Sequence, residues 1–421
     1  MTTSVHIKSS FTFLLIFLLS ARAQTPVSAN SSPALASTTW VGSWAASQQI
    51  PEPNNAVPPE SLHNATLRQI VHLSLGGSAI RVHVSNAFGT TPLHLTAVHV
   101  ARPVSPASSR IDPASDQALT FNERADIVIP MGAEYLSDPL SYPIAALSDL
   151  AITMQIEAAP EQETGHPGSR ATSYLAAGVP ASAVELTGAQ TFDHWYFLSG
   201  VDVSAPASAS AIVALGDSIT DGHGATTNGN DRWTDDLAAR LLRSPSTNKT
   251  AVLNEGIGGN RLLLDGLGPN ALARLDRDVL AQNSVRYLIV LEGINDIGTL
   301  TRTAPASEEQ HQDLVRRMIG AYQQIILRAH AHGIKVIGGT IMAFMGSGYY
   351  HPTASNENDR QTVNAWIRAA GHFDAVIDFD KIMADPTHPD HLRPEYDCGD
   401  HLHPSPAGYH AMADAIPLAL F

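Results

Sequence analysis

The sequence has a single cysteine, Cys398, in 421 residues. That excludes an intrachain disulfide framework and any cysteine-rich zinc ribbon. Positive charge is also scarce. Lys and Arg number 25 against 40 Asp and Glu, a formal net charge of −15. Binding along a phosphate backbone needs clustered Lys and Arg, so no nucleic-acid partner is expected. Charged residues are only 15% of the chain, against roughly 25% in an average soluble protein. Beyond the N-terminus no apolar run approaches the roughly 18 residues of a membrane-spanning helix. Hydrophobic residues still make up 44%, too many for a disordered chain, and the length suits two domains.

Residues 1–23 read MTTSVHIKSSFTFLLIFLLSARA. Lys8 supplies the positive start, Phe11–Leu19 the short apolar core, and Ala21-Arg22-Ala23 a small-x-small cleavage box. This is the pattern of a cleavable signal peptide, and the apolar run is too short to span a bilayer. The expectation is a secreted or periplasmic protein starting at Gln24. Loss of Lys8 and Arg22 takes the net charge from −15 to −17. Residues 24–37, rich in Ser, Ala and Pro, read as a flexible leader.

Residues 38–203 have the pattern of an all-β domain of sandwich or jelly-roll type. Val71, Leu73 and Leu75 alternate with polar residues, as do Ile80, Val82 and Val84. With Gly76-Gly77 between them, these two runs predict a hairpin. Further short strands are expected from Leu93, over Ile127–Ile129, and over Leu150–Ile156, separated by Gly, Pro and Asn turns. Residues 204–210 (SAPASAS) read as a linker. From 211 to 421 the rhythm becomes strand–helix–strand. Strands are expected at Ala211–Leu215, Val252-Leu253, Tyr287–Leu291, Ile334–Ile337 and Ala375–Phe379. Helices are expected over Asp231–Arg243, from a Ser307 cap to about His332, over Asn358–Ala370, and after a Ser405 cap with Pro406 at the first helical position. Such alternation predicts a parallel sheet with helices on both faces.

In such sheets ligands sit at the carboxyl ends of the strands. Four polar segments fall there or lead into the last helix. Leu215-Gly216-Asp217-Ser218-Ile219-Thr220 is a turn that exposes a serine hydroxyl, although a Gly-Asp-Ser turn alone is commonly only a turn. Asn254-Glu255-Gly256-Ile257-Gly258-Gly259-Asn260 is glycine-rich and permits close backbone approach. Gly293-Ile294-Asn295-Asp296 offers an amide donor for an oxyanion. Asp400-His401-Leu402-His403-Pro404 places a carboxylate three residues before an imidazole. There the Asp can hold Nδ1–H and leave Nε2 to take a proton from a serine.

These four segments, in this order, resemble the GDSL family of the SGNH hydrolase superfamily over residues ~211–421. The resemblance implies a flavodoxin-like α/β/α hydrolase domain and a serine ester hydrolase that needs no cofactor or metal. Carried across, it makes Ser218 the nucleophile, His403 the general base and Asp400 its orienting partner. It makes the Ser218 and Gly259 N–H groups and the Asn295 side chain the oxyanion donors. Gly258 competes with Gly259, and His401 with His403, the Asp-x-x-His spacing selecting His403. In the N-terminal half, Trp40-Val41-Gly42-Ser43-Trp44-Ala45-Ala46-Ser47, Leu67-Arg68-Gln69 and Ser85-Asn86-Ala87-Phe88-Gly89 resemble the leading domain of secreted GDSL proteins related to xylan-degrading esterases.

The expected activity is removal of short acyl groups, acetyl first, from a small-molecule or polysaccharide ester by way of an acyl-enzyme. A lipase, phospholipase or arylesterase is the alternative within the superfamily. A carbohydrate-binding protein with an inactive hydrolase half is the alternative of another class. The oligomeric state is not readable. The dense run of Asp385, His388, Asp390, His391, Asp397, Asp400, His401 and His403 could suggest a metal site. It reads better as a polar loop, because Pro386, Pro389 and Pro394 break any helical ligand spacing. Trp40 and Trp44 read as core rather than sugar platforms.

Overall fold

The computed structural model describes Met1 and residues Ser37–Phe421. Apart from Met1, the expected signal peptide and all of the leader except Ser37 lie outside the described residues. No helix among the described residues is long and apolar enough to cross a membrane.

The N-terminal half is antiparallel throughout. One sheet has the strand order Thr38–Ala45, Leu198–Pro206, Ile80–Ser85, Glu134–Leu136. The larger sheet runs Gln190–Phe192, Ser173–Ala177, Ala65–Leu73, Ser148–Ala158, Leu93–Ala101, Gln117–Ala118, with Ile127–Ile129 also paired to Leu93–Ala101. Its central strand Ala65–Leu73 is buried on both faces. Leu67, Val71 and Leu73 enter the main core, while Ile70 joins a small second core with Tyr174 and Leu186. The motif residues of this half are framework. Arg68 donates to the carbonyls of Ser109, Ala181 and Ala183. Gln69 exchanges hydrogen bonds with the Tyr196 backbone. Asn86 donates to Thr91, Ile129 and Pro130. Trp44 is buried edge-on against Trp195, and Arg81 lies 4.1 Å over the Trp40 ring.

The expected hairpin across Gly76-Gly77 does not form. Ala65–Leu73 pairs in the larger sheet and Ile80–Ser85 in the smaller. The two glycines carry the chain from one sheet to the other through a gap without room for side chains. A Cβ on Gly76 would lie 2.6 Å from the Ile144 carbonyl, and one on Gly77 2.7 Å from that of Ser204. Alternation had identified the strands, but the glycines mark a crossover rather than a reversal.

The C-terminal half holds a five-stranded parallel sheet in the order Thr250–Gly256, Ser210–Gly216, Val285–Leu291, Lys335–Gly339, Ala375–Ile377. Numbered along the chain this is 2-1-3-4-5, the flavodoxin-like order, whose switch point lies between the first and third strands. Trp233–Arg243 packs with Pro406–Asp414, and Glu308–Ala331 with Ala354–Arg368. The Ser307–Gln310 capping box and the Ser405 cap with Pro406 behind it are present.

The expected linker 204–210 is also corrected. The strand ending at Pro206 and the strand starting at Ser210 are joined by a three-residue turn, closed by Ala209 N–H donating to Pro206 at 2.8 Å. Ala205, Ala209 and Ser210 are small because they are buried, not because they are mobile. Residues Ser37–Phe421 form one unit, and the main apolar core is continuous from Val41 to Ile416. The two halves meet closely. The Val252 N–H donates to Ser74 Oγ at 3.0 Å, and a Cβ on Gly42 would lie 2.8 Å from Leu253.

A charged cluster joins the smaller sheet to the hydrolase half. His83 lies 3.3 Å from Glu134 and 3.1 Å from Asp202, and Asp202 also accepts from Asn283 at 2.8 Å. Burial pulls the imidazole pKa down, but the two carboxylates win and raise it from 6.5 to about 9. The folded state therefore holds this proton more tightly than the unfolded chain. The stabilisation is complete below pH 6.5 and is lost as pH rises through 9, roughly 3 kcal/mol in all. Urea unfolding should show a lower midpoint at pH 9.5 than at pH 6, and His83→Gln should shrink that difference.

Candidate active site

The strand Ser210–Gly216 is buried along its whole length and delivers Ser218 to the sheet's carboxyl edge. Gly216 is required there, since a Cβ would lie 2.1 Å from Thr220 Oγ1 and 2.8 Å from the Leu291 carbonyl. Asp217 caps the following turn, its carboxylate accepting from Ile219 N–H at 2.9 Å. Ser218 opens the one-turn helix Ser218–Asp221. Its Oγ lies 2.8 Å from His403 Nε2. His403 Nδ1 lies 2.6 Å from Asp400 Oδ2, and Asp400 Oδ1 accepts from the Leu402 and His403 N–H groups at 2.9 Å each. Partial burial would raise the Asp400 pKa, but the His403 hydrogen bond and charge and these N–H groups hold it well below the usual carboxylate range. The carboxylate stays ionised and fixes the imidazole with Nε2 toward the serine.

His401 faces elsewhere: its Nδ1 lies 2.7 Å from Asp397. The rest of the His/Asp run also pairs within itself, as His391 does with Asp390 at 2.8 Å. His223, Asp400 and His403 bring possible metal-ligand atoms within 4.8 Å of one another, and two of these three residues are in the line to Ser218.

The donor candidates follow the carboxyl ends of three adjacent strands of the parallel sheet. Gly259 has a φ of +69°, and Gly258 is not in that region. Asn295 is the second residue of the helix Ile294–Thr301, which follows Gly293, whose φ is +113°. Its amide is held at both ends. Oδ1 accepts from Tyr350 OH at 2.5 Å, and Nδ2 donates to the Asn260 carbonyl at 2.8 Å, leaving one N–H available. Gly298, one turn on, makes room for Tyr350, since a Cβ there would lie 2.4 Å from the ring.

Three residues that sequence reading passed over shape this region. Tyr350 lies far along the chain in a Gly-rich loop, and only the unexplained Gly298 hints at it. Arg274 is fully buried. It donates to the carbonyls of Gly216 (2.9 Å) and Glu255 (2.6 Å), to Asn260 Oδ1 (3.0 Å) and to Asp278 (3.0 Å), and lies 3.5 Å from Glu292. Burial raises the Glu292 carboxyl well above its usual range, whereas Arg277 and Arg274 hold Asp278 below it despite burial. His166 comes from the N-terminal half. Its Nε2 lies 2.9 Å from Asp221 on the serine helix, and its Nδ1 lies 2.8 Å from the Ser47 carbonyl.

Such an arrangement can remove a proton from a hydroxyl and present N–H groups to a developing oxyanion. A model of the GDSL-like Lipase/Acylhydrolase family matches residues 214–411. Among solved structures, a GDSL-like lipase from Bacteroides thetaiotaomicron is similar at 21% identity, covering 50% of this chain and 87% of that one, with a TM-score of 0.37. An acetylxylan esterase from Geobacillus stearothermophilus is similar at 21% identity, covering 49% of this chain and 92% of that one, with a TM-score of 0.38. No curated protein matches the chain.

Two substitutions test this geometry. Tyr350→Phe should lower kcat about tenfold with little change in KM, because it frees the Asn295 amide without removing it; Asn295→Ala should lower kcat by about 10²–10³. Equal losses in both would mean that Tyr350 does more than orient the amide. Arg274→Met removes one of the two cations beside the buried Asp278 carboxylate, together with the donor to the Gly216 and Glu255 carbonyls, and should destabilise the protein by about 3–5 kcal/mol, read from urea unfolding.

Proposed function

Residues 214–411 belong to the GDSL-like lipase/acylhydrolase family, so the protein is a serine ester hydrolase, and we propose that it is a secreted esterase removing short acyl groups from a carbohydrate. The observation that carries the mechanism is the unbroken hydrogen-bonded line Ser218–His403–Asp400 at the carboxyl end of the parallel sheet.

In this reading His403 Nε2 takes the Ser218 proton as Oγ attacks the ester carbonyl. Asp400 stabilises the imidazolium that results. The carbonyl oxygen becomes an oxyanion held by the N–H groups of Ser218 and Gly259 and the free N–H of Asn295. The tetrahedral intermediate collapses, and His403 returns the proton to the departing alcohol oxygen. Water, deprotonated by His403, then attacks the acyl-serine and releases the acid. Secretion rests on the N-terminal sequence. The acetyl preference and the carbohydrate rest on the resemblance of the N-terminal half to the leading domain of xylan-esterase relatives.

One observation favours a second reading, a lipase. A groove of about 500 Å³ runs beside the glycine-rich loop, where Leu263, Leu264, Leu300 and Leu314 meet a charged rim that includes Arg261, Arg317, Glu309 and Asp313. It could take a longer acyl chain.

The test is hydrolysis of p-nitrophenyl esters from two to sixteen carbons by wild type, Ser218→Ala, His403→Ala and His401→Ala. Ser218→Ala and His403→Ala should lose about 10⁴-fold or more in kcat, and His401→Ala should keep most of its activity. Undiminished turnover by Ser218→Ala would sink the serine mechanism. A rate that peaks at long chains would move the assignment to a lipase.

A further inference from the structure

The esterase reading leaves the N-terminal half without a part in the chemistry, yet that half supplies a cation beside the proposed general base. The segment Gly165–Ser173 is clamped onto the serine helix. His166 bonds Asp221, and a Cβ on Gly168 would lie 1.8 Å from the Asp221 carboxylate. Arg170 follows in the left-handed region, with a φ of +48°. A non-glycine residue stays there only where its surroundings fix it. Here Asn228 does so. Its N–H donates to the Arg170 carbonyl at 2.8 Å, its Oδ1 accepts from Thr172 N–H at 2.8 Å, and its Nδ2 donates to Thr172 Oγ1 at 2.9 Å.

The Arg170 guanidinium reaches Nδ1 of His223 at 3.1 Å. The His223 ring in turn lies 4.0 Å from the His403 ring, tilted by 36°. Burial, helped by His403 and Arg170, pulls the His223 pKa down to about 4, so this ring is neutral and accepts from the guanidinium. Arg170 has no carboxylate partner among the described residues, and residues 2–36 contain no Asp or Glu. Its Nε is buried without a hydrogen-bond acceptor. In a chain with 40 acids and 25 Lys and Arg, a positioned guanidinium without a carboxylate is an anion receptor.

The side it faces follows from the reaction. His403 must hand its proton to the departing oxygen, so the alcohol moiety lies on the His403 side, where His223 and Arg170 stand. We propose that Arg170 selects esters whose alcohol moiety carries a fixed anion, a carboxylate or phosphate, close to the esterified oxygen. An acylated uronic acid has this form. The inference rests on the esterase reading and gives the N-terminal half a role in specificity.

The test compares kcat/KM on three acetate esters of methyl glycosides: galacturonic acid, galactose, and galactose 6-phosphate. Wild type should favour an anionic ester over the neutral one by on the order of tenfold. The better of the two anions identifies the source. Arg170→Gln should bring the ratio close to one, and Arg170→Lys should keep much of it. Should Arg170→Gln fail to fold, raising salt from about 0.05 to about 0.5 M should erode the wild-type preference while sparing the neutral ester. A wild-type ratio of one, or an Arg170→Gln variant that loses all three rates equally, overturns the proposal. The esterase reading fails separately, by turnover that survives Ser218→Ala.

Discussion

One buried guanidinium organises the site. Arg274 binds the carbonyl ends of the first two strands of the parallel sheet, at Gly216 and Glu255, and the side chain of Asn260. The Asn260 carbonyl then fixes Asn295. The loops carrying Ser218, the glycine-rich turn and Asn295 thus share one anchor. The Gly216 carbonyl also accepts from the Ile257 N–H at 3.0 Å, so a single planar cation and the glycine-rich turn share the end of that strand. Burying that charge is unfavourable unless it is fully partnered. Asp278 supplies the negative charge, Glu292 lies 3.5 Å away with its carboxyl pushed toward the neutral form, and Ser47 brings the N-terminal half to the same centre, 3.2 Å from the guanidinium.

Much of the hydrolase half was readable in the sequence. Apolar runs set the strands, the Ser307 and Ser405 caps set helix starts, and four polar segments fell where such a sheet places its chemistry. The hydrogen-bonded line of Ser218, His403 and Asp400 was foreseeable because Asp-x-x-His is local and the serine turn follows directly on its strand. Tyr350, Arg274 and His166 were not. Each acts across 50 or more residues of chain, on Asn295, Gly216 and Asp221 respectively, and pattern within a window carries no such information. A buried Arg also looks like a surface Arg in sequence, since only its partners distinguish them.

The two misreadings share a cause. In the sequence Gly76-Gly77 reads as a hairpin turn and residues 204–210 as a linker, both on the strength of small residues. In the structure they are small because other backbone passes close by. Ile144 and Ser204 crowd the glycines, and Ala205, Ala209 and Ser210 lie inside a core that runs through both halves. Small residues report a lack of space as readily as freedom of motion.

The contact between Ser74 and Val252 bears on the outer edge of the parallel sheet. Thr250–Gly256 is an outer strand of the parallel sheet, and an uncovered outer strand offers its N–H groups to any extended chain. Here a serine hydroxyl from the N-terminal half occupies one of them, and Gly42 lies tight against the neighbouring Leu253. The β half thus acts as a built-in stopper for the sheet. A hydrolase half cut free of it would expose a growing edge, with self-association as the consequence.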